Sequence, residues 1–155
     1  MAVTAIPVGA LAIAAAAAAA VLWARRRLVL ITVDGISMTP TYQPGDRLMV
    51  SRRLRGLPAV GQVVVVERPV PGSGWRGLKP LDRSLDNRRW LVKRVAAVPG
   101  DPIPELVRQR LGLPDGARVG GGEIVLLGEH ADSEDSKLWG GFPVDRVLGV
   151  VLRRL

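Results

Sequence analysis

The pattern of hydrophobic and polar positions changes once along the chain, near residue 27. Residues 5–24 form an uncharged run of twenty residues. As a helix it would span roughly 30 Å, the thickness of a bilayer core. The run has no polar face, and no basic segment precedes Pro7, which argues against a soluble helix and a cleaved signal peptide. The pattern therefore predicts a membrane anchor over residues 1–27.

From Leu28 onward the hydrophobic positions fall in short β-branched runs, separated by Gly and Pro. Such runs are typical of strands joined by turns. They predict strands at 28–33, 47–50, 62–67, 90–98, 123–127 and 147–152, one helical turn at 107–111, and an exposed loop at 69–89. The fold class expected is mainly β, with a compact antiparallel β-domain over residues 28–155 behind one N-terminal transmembrane helix.

The charge lies in the middle of the chain. The 155 residues carry a net charge of +8, and residues 51–94 alone hold eleven basic and three acidic residues, so the remainder is balanced. A basic segment favours a nearby anionic surface, either phospholipid or nucleic acid. No recognition helix, zinc finger or aromatic stacking platform is visible, so we expect phospholipid and no nucleic acid.

Several kinds of chemistry are excluded by composition. The chain has no cysteine and one histidine, His130. Disulfides, thiolate nucleophiles and multi-histidine metal sites are therefore absent, and we expect no metal and no cofactor. The G-x-S-x-G and S-x-x-K nucleophile motifs do not occur.

One serine stands in a turn that can present its hydroxyl. Ser37 follows the first predicted strand, with Gly35 before it and Pro40 after it. Such a turn leaves neighbouring backbone N–H groups free to bind an oxyanion. The alternative is an ordinary serine at the end of a strand, which this stretch alone favours.

A lysine lies on an apolar strand face. With a period of two, Lys93 shares a face with Leu91, Val95 and Ala97. Desolvation among apolar neighbours lowers a lysine pKa, and a neutral amine can act as a general base toward serine. The alternative is a lysine whose stem packs while its ammonium stays in water.

These segments, in this order, resemble the type I signal peptidases, which are serine–lysine endopeptidases. Residues 37–41 match the S-M-x-P-T motif of that family, and residues 93–101 match its K-R-V-x-x-x-P-G-D motif. Residues 128–137 are similar to its G-D-N-x-x-x-S-x-D-S-R motif, and residues 61–65 are similar to its G-D-x-V motif. The resemblance covers roughly residues 28–151.

The resemblance implies a role for each matching residue. Ser37 would be the nucleophile and Lys93 the general base. The backbone N–H of Ser37 would contribute to the oxyanion hole, with Gly35 in the position where some members carry a hydroxyl. Ser133 would orient the lysine amine, and Asp135 and Lys137 would form a structural ion pair.

The third motif departs from the family pattern. Glu129 and His130 replace Asp and Asn, the spacing before Ser133 is one residue shorter, and Lys137 replaces an arginine. Lysine cannot pair with a carboxylate through two nitrogens, as arginine does. The segment 102–122 is also short for the family. Two hypotheses follow: a minimal or specialised peptidase, or a catalytically silent, membrane-associated binding module of the same fold.

The resemblance also implies a location and partners. A signal peptidase is a single-pass protein of the cytoplasmic membrane with an extracytoplasmic catalytic domain, and it acts on precursor proteins that carry signal peptides. Arg25, Arg26 and Arg27 follow the predicted span and favour the opposite orientation. We expect the outer face because the chemistry requires it.

Overall fold

A long helix leads directly into an antiparallel sheet. The structure is a computed structural model that describes residues 8–52, 56–82, 85 and 87–155. Its helices are α1 (Val8–Arg27), α2 (Glu105–Leu111) and α3 (Ser136–Trp139). Its strands are β1 (Leu28–Thr32), β2 (Arg47–Ser51), β3 (Val63–Glu67), β4 (Trp90–Ala97), β5 (Glu123–Leu127), β6 (Phe142–Pro143) and β7 (Val147–Arg154). They form one sheet in the order β1-β2-β7-β3-β4-β5-β6, with every neighbouring pair antiparallel.

The strand sequences reflect how each strand is covered. All five residues of β3 are buried, which explains its uninterrupted valine run, because a strand covered on both faces has no polar side. In β4 the fully buried residues alternate, starting at Lys93 and continuing with Val95 and Ala97. Lys93 therefore lies on the core face of its strand, as the sequence predicts.

Apolar side chains fill both faces of the sheet. One cluster includes Val64, Leu126 and Phe142. A second includes Leu48, Val65 and Leu148, and a third packs Val107 of α2 against the sheet. The core is aliphatic with one buried phenylalanine, Phe142, so the rigidity of the site depends on close packing of valine and leucine.

The mainly β architecture expected from the sequence is confirmed, with small differences at the ends of strands. Strand β7 continues two residues further, to Arg154, because it pairs with β2 as well as β3. Helix α2 begins earlier than predicted, at Glu105 directly after Pro104. The sequence pattern missed α3 and β6, which are only four and two residues long.

Within the described residues, no helix is both long and apolar enough to cross a membrane. Helix α1 covers most of the segment predicted as an anchor, and residues 1–7 of that prediction lie outside the described part of the chain. The anchor and the domain boundary at residue 27 stay predictions.

Much of the basic middle segment is used inside the fold. Arg68, Arg88 and Arg94 each pair with a carboxylate, and Lys93 is buried. These residues do not need an external anionic surface to balance their charge, which weakens the charge argument for a lipid partner. Four further charged residues of the segment lie outside the described residues: Arg53, Arg55, Arg83 and Asp86.

Candidate active site

The turn that carries Ser37 is closed by backbone hydrogen bonds. Val33 N–H donates to the Asp46 carbonyl at 2.9 Å, and Gly45 N–H donates to the Val33 carbonyl at 2.8 Å. Met38, directly after the serine, is completely buried and fixes the turn to the core. Ser37 itself is only partly buried, so the residue lies on a fixed turn with part of its surface exposed.

Lys93 is one of the largest completely buried side chains of the described residues. Its Cα is paired with that of Val64 on β3, and its Nζ has no hydrogen-bonding partner. Burial lowers the pKa of Lys93 from 10.5 to about 8, against the opposing charges of Asp135 and Glu134. The alternative of a lysine with a solvated ammonium is therefore wrong, since the amine is shielded from water.

The segment after β5 folds back as a loop held at both ends by one carboxylate. Asp135 is completely buried and accepts hydrogen bonds from Gly128 N–H and Lys137 N–H, both at 2.9 Å. Lys137 Nζ lies 3.4 Å from the same side chain. Asp135 also caps the N-terminus of α3, so it closes residues 128–135 into a fixed loop.

This loop binds the backbone of the serine turn. The N–H groups of Glu129 and His130 both donate to the carbonyl of Ser37, at 2.8 and 3.2 Å. Gly128 lies at the closest approach: a Cβ there would be 2.6 Å from that carbonyl oxygen and 1.9 Å from Ser133 Oγ. Only glycine fits this contact, through which residues 128–137 approach the serine motif at residues 37–41.

Ser133 is the second unpartnered polar group of the site. It is nine-tenths buried, and its Oγ makes no hydrogen bond. The charges of Asp135 and Glu134 on the loop, and of Lys137 on α3, all act on Lys93, so this segment lies near the amine. Lys93 Nζ and Ser133 Oγ are thus both buried without a hydrogen bond, and an unmade hydrogen bond in a buried place costs free energy.

Ser37 and Lys93 do not hydrogen-bond to each other, because Lys93 Nζ has no partner at all. Catalytic hydrogen bonds are often long without substrate and shorten when it binds. Gly35 is exposed, and nothing lies within 4 Å of where its Cβ would be, so the chain before Ser37 leaves open space.

Two arginine–glutamate pairs at the site were missed by the sequence analysis. Arg94 binds the Glu129 carboxylate through Nε at 3.1 Å and the Gly61 carbonyl at 2.7 Å. Arg68 binds both oxygens of Glu134, at 2.7 and 2.8 Å. Partners 66 residues apart give no local signal, so only the folded chain shows the second pair.

Comparison with known families shows the family of the chain. The chain belongs to the family described as signal peptidase, peptidase S26, whose sequence profile matches residues 5–111. The family is one of serine peptidases. The match includes the turn of Ser37 and the strand of Lys93, and it ends before the loop 128–135. A search of the curated proteins found no match to this chain.

Proposed function

We propose that this protein is a serine endopeptidase that cleaves signal peptides, or one dedicated precursor, with Ser37 as nucleophile and Lys93 as general base. The proposal is carried by the state of the Lys93 amine. The side chain is completely buried, the amine makes no hydrogen bond, and its pKa is lowered to about 8. A buried cation without a partner is unfavourable, whereas a buried neutral amine is a base.

The reaction would be an acyl transfer. The neutral Lys93 amine takes the proton from the Ser37 hydroxyl as Oγ attacks the scissile carbonyl. The Ser37 backbone N–H, which donates to no backbone carbonyl among the described residues, is available to bind the oxyanion. Protonated Lys93 then gives its proton to the leaving amine. In the second step Lys93 takes a proton from water, which attacks the acyl-enzyme, and Lys93 returns that proton to Ser37 Oγ as the acyl group leaves.

The loop 128–135 would support the base. Ser133 would turn its hydroxyl toward the Lys93 amine and fix the amine's orientation. Asp135 and Lys137 would act at a distance from the reacting atoms, by holding the loop closed through the contacts described above. Gly35 would leave room for the substrate, and the oxyanion hole would use backbone donors alone.

The location and partners form part of the same proposal. A peptidase of this kind would act at the cytoplasmic membrane, with its catalytic domain extracytoplasmic, on precursors that carry signal peptides. The basic residues not paired within the fold would contact phospholipid headgroups. Protection of the catalytic domain from protease added to intact spheroplasts would contradict this orientation.

The test is cleavage of a precursor with an Ala-x-Ala signal peptide by the detergent-solubilised full-length protein. We expect Ser37→Ala to abolish cleavage, because without the Ser37 hydroxyl the proposed acyl-enzyme cannot form. Ser73→Ala, a serine exposed in the loop after β3, is the matched control and should cleave normally. Full activity of Ser37→Ala would overturn the proposal. No cleavage of any precursor by the unaltered protein would favour the silent binding module.

The pH dependence of the rate follows from the pKa of Lys93. The amine must be neutral, so the rate should rise about tenfold per pH unit in the acid range and level off above pH 8, where the base form predominates. A pH–rate profile of kcat/KM checks this. A rate that stays flat from pH 5 to pH 10 would contradict a lysine base.

A further inference from the structure

The Arg68–Glu134 pair lies beside the proposed base and has no counterpart in the motifs of the sequence. Glu134 lies in the chain between Ser133 and Asp135, on the loop that lies near Lys93. Arg68 follows the last residue of β3, the strand that pairs with the lysine strand β4. The guanidinium binds both carboxylate oxygens, with Nε and one terminal nitrogen at 2.7 and 2.8 Å.

Arg68 and Glu134 form a bidentate ion pair, which is stronger than a pair joined by one hydrogen bond. Two parallel N–H···O bonds fix the carboxylate in orientation as well as in charge. The Arg68 side chain is 21% exposed and that of Glu134 is 42% exposed, so the pair lies at the rim of the site. The Arg68 guanidinium is the main cause that holds the pKa of the Glu134 carboxyl below its usual range. Glu134 is therefore a permanent anion at neutral pH.

We propose that Arg68 is a positioning residue of this site: by binding both oxygens of Glu134, it keeps that carboxylate off the Lys93 amine and leaves the amine free to accept the proton of Ser37. The inference rests on the proposed Ser37–Lys93 chemistry. Without Arg68, the Glu134 carboxylate would be free to turn toward the amine and hold it as an ammonium.

The charged groups around Lys93 set the direction in which the loss of Arg68 would shift the lysine pKa. Asp135 and Glu134 raise the pKa of Lys93, and Lys137 lowers it. The Asp135 carboxylate is already bound by Gly128, Lys137 and the backbone of α3, so it is fixed and cannot turn toward the Lys93 amine. Glu134 has Arg68 as its partner, and the loss of Arg68 leaves its charge uncompensated beside the amine.

The test is a set of pH–rate profiles on the full-length protein. Arg68→Met should move the acid limb of kcat/KM to higher pH and lower the rate at pH 6.5 about threefold, with an unchanged plateau. Glu134→Gln should move the limb to lower pH and raise the rate at pH 6.5 by a similar factor. The double variant should behave like Glu134→Gln, because Arg68 acts only through the carboxylate.

Arg108 and Glu105 supply the controls. Arg108 is 20% exposed and also pairs with two carboxylates, those of Glu105 and Asp115, on α2 and the turn after it. Arg108→Met and Glu105→Gln should leave the profile unmoved. A lower plateau in Arg68→Met with no shift of the limb would show a purely structural role and overturn the inference.

A direct titration separates this inference from the proposed function. The chain has three lysines, Lys79, Lys93 and Lys137, so the side-chain Cε resonance of Lys93 can be assigned by NMR with Lys93→Met. The midpoint of Lys93 should rise in Arg68→Met and fall in Glu134→Gln. Equal midpoints in all variants would overturn the inference even if cleavage is found. Shifted midpoints without any cleavage would confirm that Arg68 acts on the Lys93 amine through Glu134 and would remove the proposed function.

Discussion

Lys93→Met is expected to abolish cleavage and, at the same time, to stabilise the fold. The change removes the proposed general base, the group that would take the proton of Ser37, and the rate should fall about a thousandfold or more. Methionine has nearly the shape of lysine without the charge. In the completely buried site of Lys93 it would pack against the same neighbours without an unpaired amine.

The stability gain depends on pH in a defined direction. The pKa of Lys93 is about 8 in the folded chain and 10.5 ordinarily, so the unfolded chain holds more protons between these values. The unaltered protein should therefore become more stable as the pH rises from about 8 to about 10.5. Lys93→Met should lack this slope and be more stable near pH 7 by roughly 3 kcal/mol.

Chemical unfolding of both proteins at several pH values measures this difference. Lys79→Met is the control, because Lys79 is exposed in the loop after β3 and its replacement should change neither stability nor cleavage. A Lys93→Met protein that is less stable than the unaltered chain and keeps the same pH slope would show that the amine is not the buried group described here.

Gly128→Ala is expected to cost nearly all activity by pushing the serine turn away from the loop. The new Cβ would lie 1.9 Å from Ser133 Oγ, 2.4 Å from Ser133 Cβ and 2.6 Å from the Ser37 carbonyl oxygen. Backbone cannot yield as a flexible side chain can, so the hydrogen bonds from Glu129 and His130 to Ser37 would break. A misplacement of about 1 Å at a nucleophile can cost a hundredfold in rate.

Gly121→Ala is the matched control. Gly121 lies just before strand β5, as Gly128 lies just after it. Gly121 has no positive φ, and nothing lies within 4 Å of where its Cβ would be. It should keep normal kcat/KM and normal thermal unfolding. Because Gly128→Ala can also destabilise the fold, the rate is compared at a temperature where both variants are folded by circular dichroism. Normal cleavage by Gly128→Ala would mean that the loop does not position Ser37.

Both predictions depend on how the loop is held near Lys93 and the serine turn. Burial lowers the pKa of Lys93, while Asp135 and Glu134 on the loop and Lys137 on α3 adjust how strongly its amine binds a proton. Gly128 lets that loop approach the serine turn closely enough for hydrogen bonds. The altered third motif still closes the loop, because Asp135 caps α3 and binds Gly128 whichever cation follows.

The strands could be predicted because their pattern is local. Alternation in β4 reports which residues face the core, and it placed Lys93 correctly on that face. The run of valines in β3 marked a strand, but its position in the centre of the sheet came from pairing with β4 and β7. The short elements α3 and β6 were missed because four and two residues contain no period.

The sequence by itself determined the β class, the turn that presents Ser37, and the apolar strand face on which Lys93 lies. These depend on residues close together in the chain, where steric preference and burial act over a few positions. Only the tertiary structure decided that the lysine amine has no partner, that Gly128 lies between Ser37 and Ser133, and that Arg68 binds Glu134. Each of these needs segments tens of residues apart, and their contact is decided by the packing of the whole sheet rather than by any local pattern.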